Sequence, residues 1–273
     1  MKSAGRAAFS AGDLARMQKV ALAAALEAGK VQTKNFRRKI DVSEKKNAGL
    51  VTEVDLKSEA LILRRLRQAF PDFAIIGEES GRSGAFANGT PVWHVDPLDG
   101  TTNYAHGFPM YGVSIGVAVG DEPVMGVVHA PSLRETWWAA AGLGAFHNGR
   151  RMHVSRRATL PNSLLATGFA YMKGPNLRDA IERFRRASLK ARAVRRPGAA
   201  ALDLAYVALG VYEGFWECSL SSWDVCAGVA LVREAGGQVS DYSGGPFRFT
   251  DQEILATNGR IHSRLGSTLR LSR

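Results

Sequence analysis

Two apolar runs set back to back, Tyr111–Val119 and Val124–Ala130, constrain this chain more than any other feature. Apolar residues alternate along each, and the runs join across Gly120-Asp121-Glu122, a pattern that predicts an antiparallel hairpin. Short apolar runs at Phe73–Gly77 and Val92–Asp96 read as buried strands before it. Arg134–Ala140 and Gly144–His147 extend the sheet beyond it, and Asn148-Gly149 supplies a two-residue hairpin turn. Helical spacing covers the N-terminal side. Leu14, Met17, Ala21, Ala24, Ala25, Ala28 and Val31 share one face, with Ser10 and Asp13 placed as a capping box. A second helix is expected over Val54–Ala69, stopped by Pro71.

The second half alternates between the two periods. Strands are expected at Leu164–Gly168, Ala191–Arg195, Tyr212–Glu217, Gln238–Asp241 and Ile254–Thr257. Helices are expected at Asn176–Lys190, Ala199–Leu209 and Trp223–Ala235, with another at the end of the chain. The pattern describes a mixed α/β protein with helices stacked on sheets, the first sheet mainly antiparallel and the second mixed. Two halves are expected, 1–150 and 151–273.

Charge narrows the functional classes less than its size suggests. The net charge of +11 points to an anionic partner: nucleic acid, a membrane surface or a phosphorylated metabolite. Residues 1–47 carry a net +7 and residues 178–196 a net +6, whereas residues 48–149 carry a net −5. Solvated helix faces are the simpler reading of the basic blocks. No apolar run reaches the roughly 20 residues of a membrane span. Glu27 interrupts the stretch Val20–Ala28, and its charged lead-in is too long for a secretion signal, so a cytoplasmic protein is expected. Cys218 and Cys226 form no CxxC pair, which excludes a disulfide scaffold and a cysteine-rich zinc module, and both are expected to be buried thiols.

Two stretches carry chemistry. Gly77-Glu78-Glu79-Ser80 and Asp96-Pro97-Leu98-Asp99-Gly100-Thr101-Thr102-Asn103-Tyr104 each begin where an apolar strand is expected to end. Asp96 and Asp99 flank a proline-directed turn, so their carboxylates can converge. Two ionised carboxylates about 4 Å apart repel by roughly 4 kcal/mol at an effective dielectric of 20, so the pair wants a cation or a shared proton. Oxygen-only ligands favour magnesium, manganese or calcium. Gly100-Thr101-Thr102 follows at once and can open a helical turn whose free N–H groups suit a phosphate. Together these groups point to metal-assisted phosphoryl chemistry.

With Trp223-Asp224-Val225-Cys226-Ala227-Gly228, these motifs resemble the signatures of the inositol monophosphatase family, magnesium-dependent and lithium-sensitive phosphatases. The resemblance runs from Leu50 to Gly237. It implies a layered αβαβα sandwich of the sugar-phosphatase type, a homodimer, and two or three Mg2+ ions. By similarity, Glu78, Asp96, Asp99, Asp224 and the Leu98 carbonyl are metal ligands. Glu78, Asp55 and Thr101 hold and activate a nucleophilic water. Gly100, Thr101 and Thr102 take the phosphate, and Gly198, Ala199, Ala200 and Glu217 meet the polyol. The implied reaction is hydrolysis of myo-inositol monophosphate by a metal-activated water. Histidinol phosphate, fructose 1,6-bisphosphate and adenosine bisphosphate are substrates of relatives and stay open as alternatives. Gly49 stands where the family often has Asp, Ala199 where Ser or Thr is common, and either Lys45 or Lys46 matches a family lysine.

Blander readings accompany several of these residues. Thr52 and Asp55 also fit a capping box, Asp224 a helix start, and Glu217 a surface acid at a strand end. Gly112-Val113-Ser114-Ile115-Gly116 matches a nucleophile elbow but lies in the hairpin strand, so Ser114 is read as structural. Asp96 and Asp99 lack the D-x-D spacing of haloacid-dehalogenase-type phosphatases. A competing function of another class is binding of RNA or an acidic protein by the basic blocks, beside or instead of catalysis.

Overall fold

A Ser10–Asp13 capping box closes the start of α1 (Ala11–Asn35), with the Asp13 N–H donating to Ser10 Oγ and the Ser10 N–H to Asp13 Oδ2. This computed structural model describes residues 9–45, 49–169, 175–251 and 253–271. Beyond α1, a small hairpin of an exposed β1 (Val42–Glu44) and a partly buried β2 (Leu50–Thr52) leads into α2 (Glu53–Ala69). The next elements are β3 (Ala74–Gly77), β4 (Gly81–Ser83), β5 (Pro91–Asp99) and the short helix α3 (Thr101–Ala105). The expected hairpin is β6 (Gly112–Val119) with β7 (Glu122–Ala130), followed by β8 (Glu135–Ala140), β9 (Gly144–His147) and β10 (Arg150–Arg151).

These strands form one sheet in the order β10-β9-β8-β7-β6-β5-β3-β4, antiparallel throughout except between β3 and β5. The second half begins with β11 (Leu164–Thr167), α4 (Pro175–Ser188), β12 (Ala193–Arg195) and α5 (Ala200–Ala208). It ends with β13 (Gly214–Cys218), α6 (Ser222–Glu234), β14 (Gln238–Ser240), β15 (Glu253–Thr257) and α7 (His262–Leu269). Its sheet runs β12-β11-β13-β15-β14, with β11 parallel to both neighbours and β15 antiparallel to both of its own.

Five layers result. Helices α1 and α2 bury their apolar faces on the first sheet, where Met17, Ala21, Ile62 and Leu66 meet Trp93, Ile115 and Val127. Helices α5 and α6 fill the space between the sheets, packing Leu202, Leu204, Val225 and Val229 against Val128, Trp137 and Phe215. Helices α4 and α7 close the far side around Leu165, Trp216 and Leu265. The mixed αβαβα architecture stands as expected. Helix α6 lies so close to the first sheet that a Cβ at Gly126 would fall 2.4 Å from the Ala227 carbonyl oxygen. That contact sets the depth at which the start of α6 meets β5. Ser114 Oγ donates to the Trp223 carbonyl across the same seam, a structural use of its hydroxyl.

Two expectations need correction, and three strands went unread. The strand expected to stop at Asp96 continues to Asp99. The hairpin β1–β2 and the edge strand β4 carry no apolar alternation, and so leave no periodic trace in the sequence. Cys218 is a half-buried free thiol, whereas Cys226 is fully buried. Among the described residues, no helix is long and apolar enough to cross a membrane.

Candidate active site

In a regular strand, residues three apart face opposite sides. Strand β5 breaks that rule where it matters: its pairing with β6 shifts register between Asp96 and Asp99. Pro97 has no N–H for the ladder, and the Leu98 N–H turns inward to donate to Asp96 Oδ1 at 2.9 Å. The bulge therefore brings Asp96, Leu98 and Asp99 to one cleft. Gly100 then adopts φ +85°, and a Cβ there would fall 2.8 Å from the Met110 carbonyl oxygen. Only glycine suits that link, which reverses the chain into α3.

The cleft has a volume of about 530 Å³. Glu78 enters it from the turn after β3, and Asp224 from the first turn of α6. Glu217 enters from β13, and Gly198 and Ala200 from the start of α5. Thr101 and Thr102 line it at the start of α3. Two candidate residues stand back from the surface. Asp55 is fully buried behind Thr101, whose hydroxyl has Asp55 Oδ1 and the Leu98 carbonyl as alternative acceptors, both at 2.9 Å. Ala199 is buried as the residue that caps α5.

The capping readings coexist with the site. Asp55 Oδ2 accepts the Thr52 N–H while Thr52 Oγ1 caps α2. Asp224 Oδ2 accepts the Ser221 N–H at 2.7 Å as the third residue of α6, inside the helix rather than at its cap. Asp99 Oδ2 accepts the Ala201 N–H at 2.8 Å, tying β5 to α5 across 102 residues of sequence.

The electrostatics are unusual for a folded interior. Burial pushes the Asp96 carboxyl well above its ordinary range, and the negative charges of Glu78, Asp99 and Asp224 push it further. Asp99 is raised to about 7, chiefly by burial and against the pull of backbone N–H donors from α5. Asp224 is raised by burial and then by Glu78. Burial also raises Asp55, although Thr52 and Thr101 donate to it. One cation answers this charge at the Glu78 end, where Lys45 Nζ bridges Glu78 Oε1 at 2.6 Å and Glu79 Oε1 at 2.7 Å. Lys45 thus lines the site, and Lys46 lies outside the described residues. Glu79 is raised to about 7 by burial despite Lys45.

Among the described residues, no three His, Cys, Asp or Glu side chains stand in a finished metal cage. The donor set nevertheless fits a hard divalent cation. It consists of oxygens only, and its buried carboxyls are each held above their ordinary range by burial and by one another. A cation among them relieves both penalties.

The sequence left several cleft residues unread. Asn103 Nδ2 donates to the Met110 carbonyl at 2.7 Å and to the Pro197 carbonyl at 2.9 Å, fastening α3 to the segment before α5. Its place in the Gly100–Tyr104 motif was the available signal. Arg196 and Phe169 form another part of the wall. Off the cleft lining, Asp203 in α5 is buried with neither carboxylate oxygen hydrogen-bonded among the described residues, and its carboxyl is raised by burial and by Glu217.

Comparison with known proteins bears on this arrangement. The profile described as "Inositol monophosphatase family" matches residues 13–272. An inositol-1-monophosphatase of Synechocystis sp. is 43% identical over 270 residues, covering 98% of this chain and 94% of that protein. A Pseudomonas aeruginosa protein named Nus factor SuhB is 42% identical over 258 residues, covering 93% of this chain and 95% of its own. The crystal structure of extragenic suppressor protein suhB from Bartonella henselae superposes with a TM-score of 0.88 at 38% identity. It covers 94% of this chain and 99% of that one.

Proposed function

The chain belongs to the inositol monophosphatase family and is a phosphatase of phosphate monoesters. From that premise we propose that it hydrolyses myo-inositol monophosphate to inositol and phosphate, dependent on Mg2+. The observation that carries this reading is the meeting of Glu78, Asp96, Asp99 and Asp224 with the first turn of α3 in one cleft, with Glu217 on its wall.

Glu78, Asp96, Asp99, Asp224 and the Leu98 carbonyl would hold the magnesium. Bound there, it supplies charge neutralisation for the phosphate and acidifies water near neutral pH. The protein's own groups do the rest. The single Thr101 hydroxyl proton goes to Asp55 or to the Leu98 carbonyl, each 2.9 Å away, so an oxygen lone pair is left to accept from an incoming water. Asp55 fixes that orientation from behind. Glu78 is the acceptor for the proton that the water releases, and its oxygen is already steadied by Lys45. The N–H groups at the start of α3 receive phosphate oxygens, and Glu217 accepts hydrogen bonds from polyol hydroxyls. Gly198 and Ala200 bring backbone against the same hydroxyls.

A panel of phosphate monoesters assayed with magnesium, with and without lithium, tests the proposal. Inositol 1-phosphate is expected to lead and lithium to inhibit. Preference for histidinol phosphate, fructose 1,6-bisphosphate or adenosine bisphosphate would overturn the substrate assignment and leave the reaction class standing. A homodimer is part of the same proposal, with sedimentation velocity as its check. A second reading, RNA or acidic-protein binding beside catalysis, rests on the basic blocks at residues 1–47 and 178–196. Salt-dependent RNA binding retained by Asp99→Asn would support it; no binding at low salt would remove it.

A further inference from the structure

A second cavity, of about 450 Å³, opens on the other side of the segment that leads into α6. Leu220, Ser221 and Trp223 line both cavities, so this segment is a shared wall. The two linings differ in charge. The cleft presents five carboxylates, whereas the second cavity presents none and holds the exposed guanidinium of Arg82. Among the described residues, Arg82 has no carboxylate within ion-pair distance. Its guanidinium carbon lies instead 3.9 Å from the centroid of the exposed Phe86 ring. Asp121, next to the lining residue Gly120, is engaged by the Phe249 N–H at 3.1 Å.

The rest of the lining is aromatic and neutral. The His94 ring, nearly fully buried, stacks on Phe249 with centroids 4.9 Å apart and planes 28° apart. Asn88, Thr90 and Thr250 add uncharged polar groups around the opening. Volume and composition fall within the range of small-molecule sites, which are apolar pockets of roughly 300–1,000 Å³ with a few polar groups.

We propose that this cavity binds a small aromatic anion, a flat ring bearing a carboxylate, sulfonate or phosphate, and that its occupancy is communicated to the cleft. The ring stacks on Phe86 and Phe249, and the anionic group pairs with Arg82. Communication follows from the shared wall. His94 Nδ1 and Ser222 Oγ are hydrogen-bonded at 2.8 Å, which clamps the start of α6 to β5. Asp96 lies two residues beyond one end of that clamp and Asp224 two residues beyond the other. A ligand seated on the clamp alters the spacing of the two carboxylates.

The test uses 8-anilinonaphthalene-1-sulfonate as probe on the full chain. The expected result is one saturable fluorescent site per chain, weakened at least tenfold in both Arg82→Ala and Phe86→Ala. Both replaced side chains are exposed, so both variants are expected to fold. In Asp99→Asn, and in the presence of inositol 1-phosphate, the site is expected to persist, its affinity moving only by the few-fold that reciprocal coupling requires. Wild-type affinity in the Arg82 and Phe86 variants, or complete loss of the probe on filling the cleft, would overturn the site. The coupling rests on the proposed phosphatase activity and has its own readout. The magnesium concentration for half-maximal turnover should move at least twofold with probe bound in the wild type, and not in Arg82→Ala. An unmoved midpoint with the probe bound would overturn the coupling alone.

Discussion

Glu213 and Asp99 are both buried acids, yet the molecule treats them in opposite ways. Glu213, at the turn into β13, accepts from Arg157 Nη1 at 2.9 Å and from the Leu164 N–H at 2.6 Å. Its charge is answered by donors, and it joins two segments of the second half. Asp99 also accepts a backbone N–H, but it shares its cleft with Glu78, Asp96 and Asp224, which oppose its ionisation or one another's. Burial alone therefore does not mark a functional acid. The informative feature is burial beside other acids, an arrangement that weakens the fold unless a cation joins it.

Removing one acid of each kind separates the two. Asp99→Asn should lower phosphatase turnover by roughly 10³-fold, because it removes a proposed ligand of the metal that carries the chemistry. Its melting temperature without metal should equal or exceed that of the wild type, since one repelling charge is gone. A clear loss of stability without metal would place Asp99 with Glu213 instead.

Magnesium should stabilise the wild type, by about 2.7 kcal/mol at a hundredfold excess over Kd, and should leave Asp99→Asn almost unmoved. Thermal unfolding across a magnesium series checks this. Glu213→Gln should do the reverse of Asp99→Asn, costing about 2 kcal/mol in denaturant unfolding while turnover per folded molecule is kept. The figure lies below the usual value for a broken buried pair because the Arg157 side chain is 57% exposed.

The smallest effect concerns neutral buried groups. Burial holds His129 and His262 below their ordinary value of 6.5. Their folded forms bind fewer protons than the unfolded chain, so the stability they contribute is complete above about pH 6.5 and is lost as the pH falls below it. His262, between Ser240 Oγ and Thr257 Oγ1, is the one to replace. His262→Gln should flatten the acid limb of a stability profile.

The parts of this molecule visible in the sequence are those written in local periodicity. The α1 face, the β6–β7 hairpin, the Asn148-Gly149 turn and the capping box at Thr52–Asp55 all depend on neighbours within a few residues. The acids of the site were legible as motifs, and the family resemblance supplied their roles. Non-local joins were hidden. Nothing near Asp99 announces the Ala201 N–H, and nothing near Asn103 announces the Pro197 carbonyl. The register shift that turns Asp96 and Asp99 to one side was masked because Pro97 reads as the end of a strand, whereas the strand absorbs it as a bulge. Asp203 is likewise mute in sequence, an acid in an apolar helix whose isolation exists only once α5 is packed.

Phosphate release from myo-inositol 1-phosphate by the purified chain, followed across a magnesium titration, is the direct check on the proposed reaction. Negligible release without metal, and a saturable rise as magnesium is added, is the predicted result. Release that is independent of magnesium, or absent at every concentration, would contradict the assignment of these carboxylates to a magnesium-dependent inositol phosphatase.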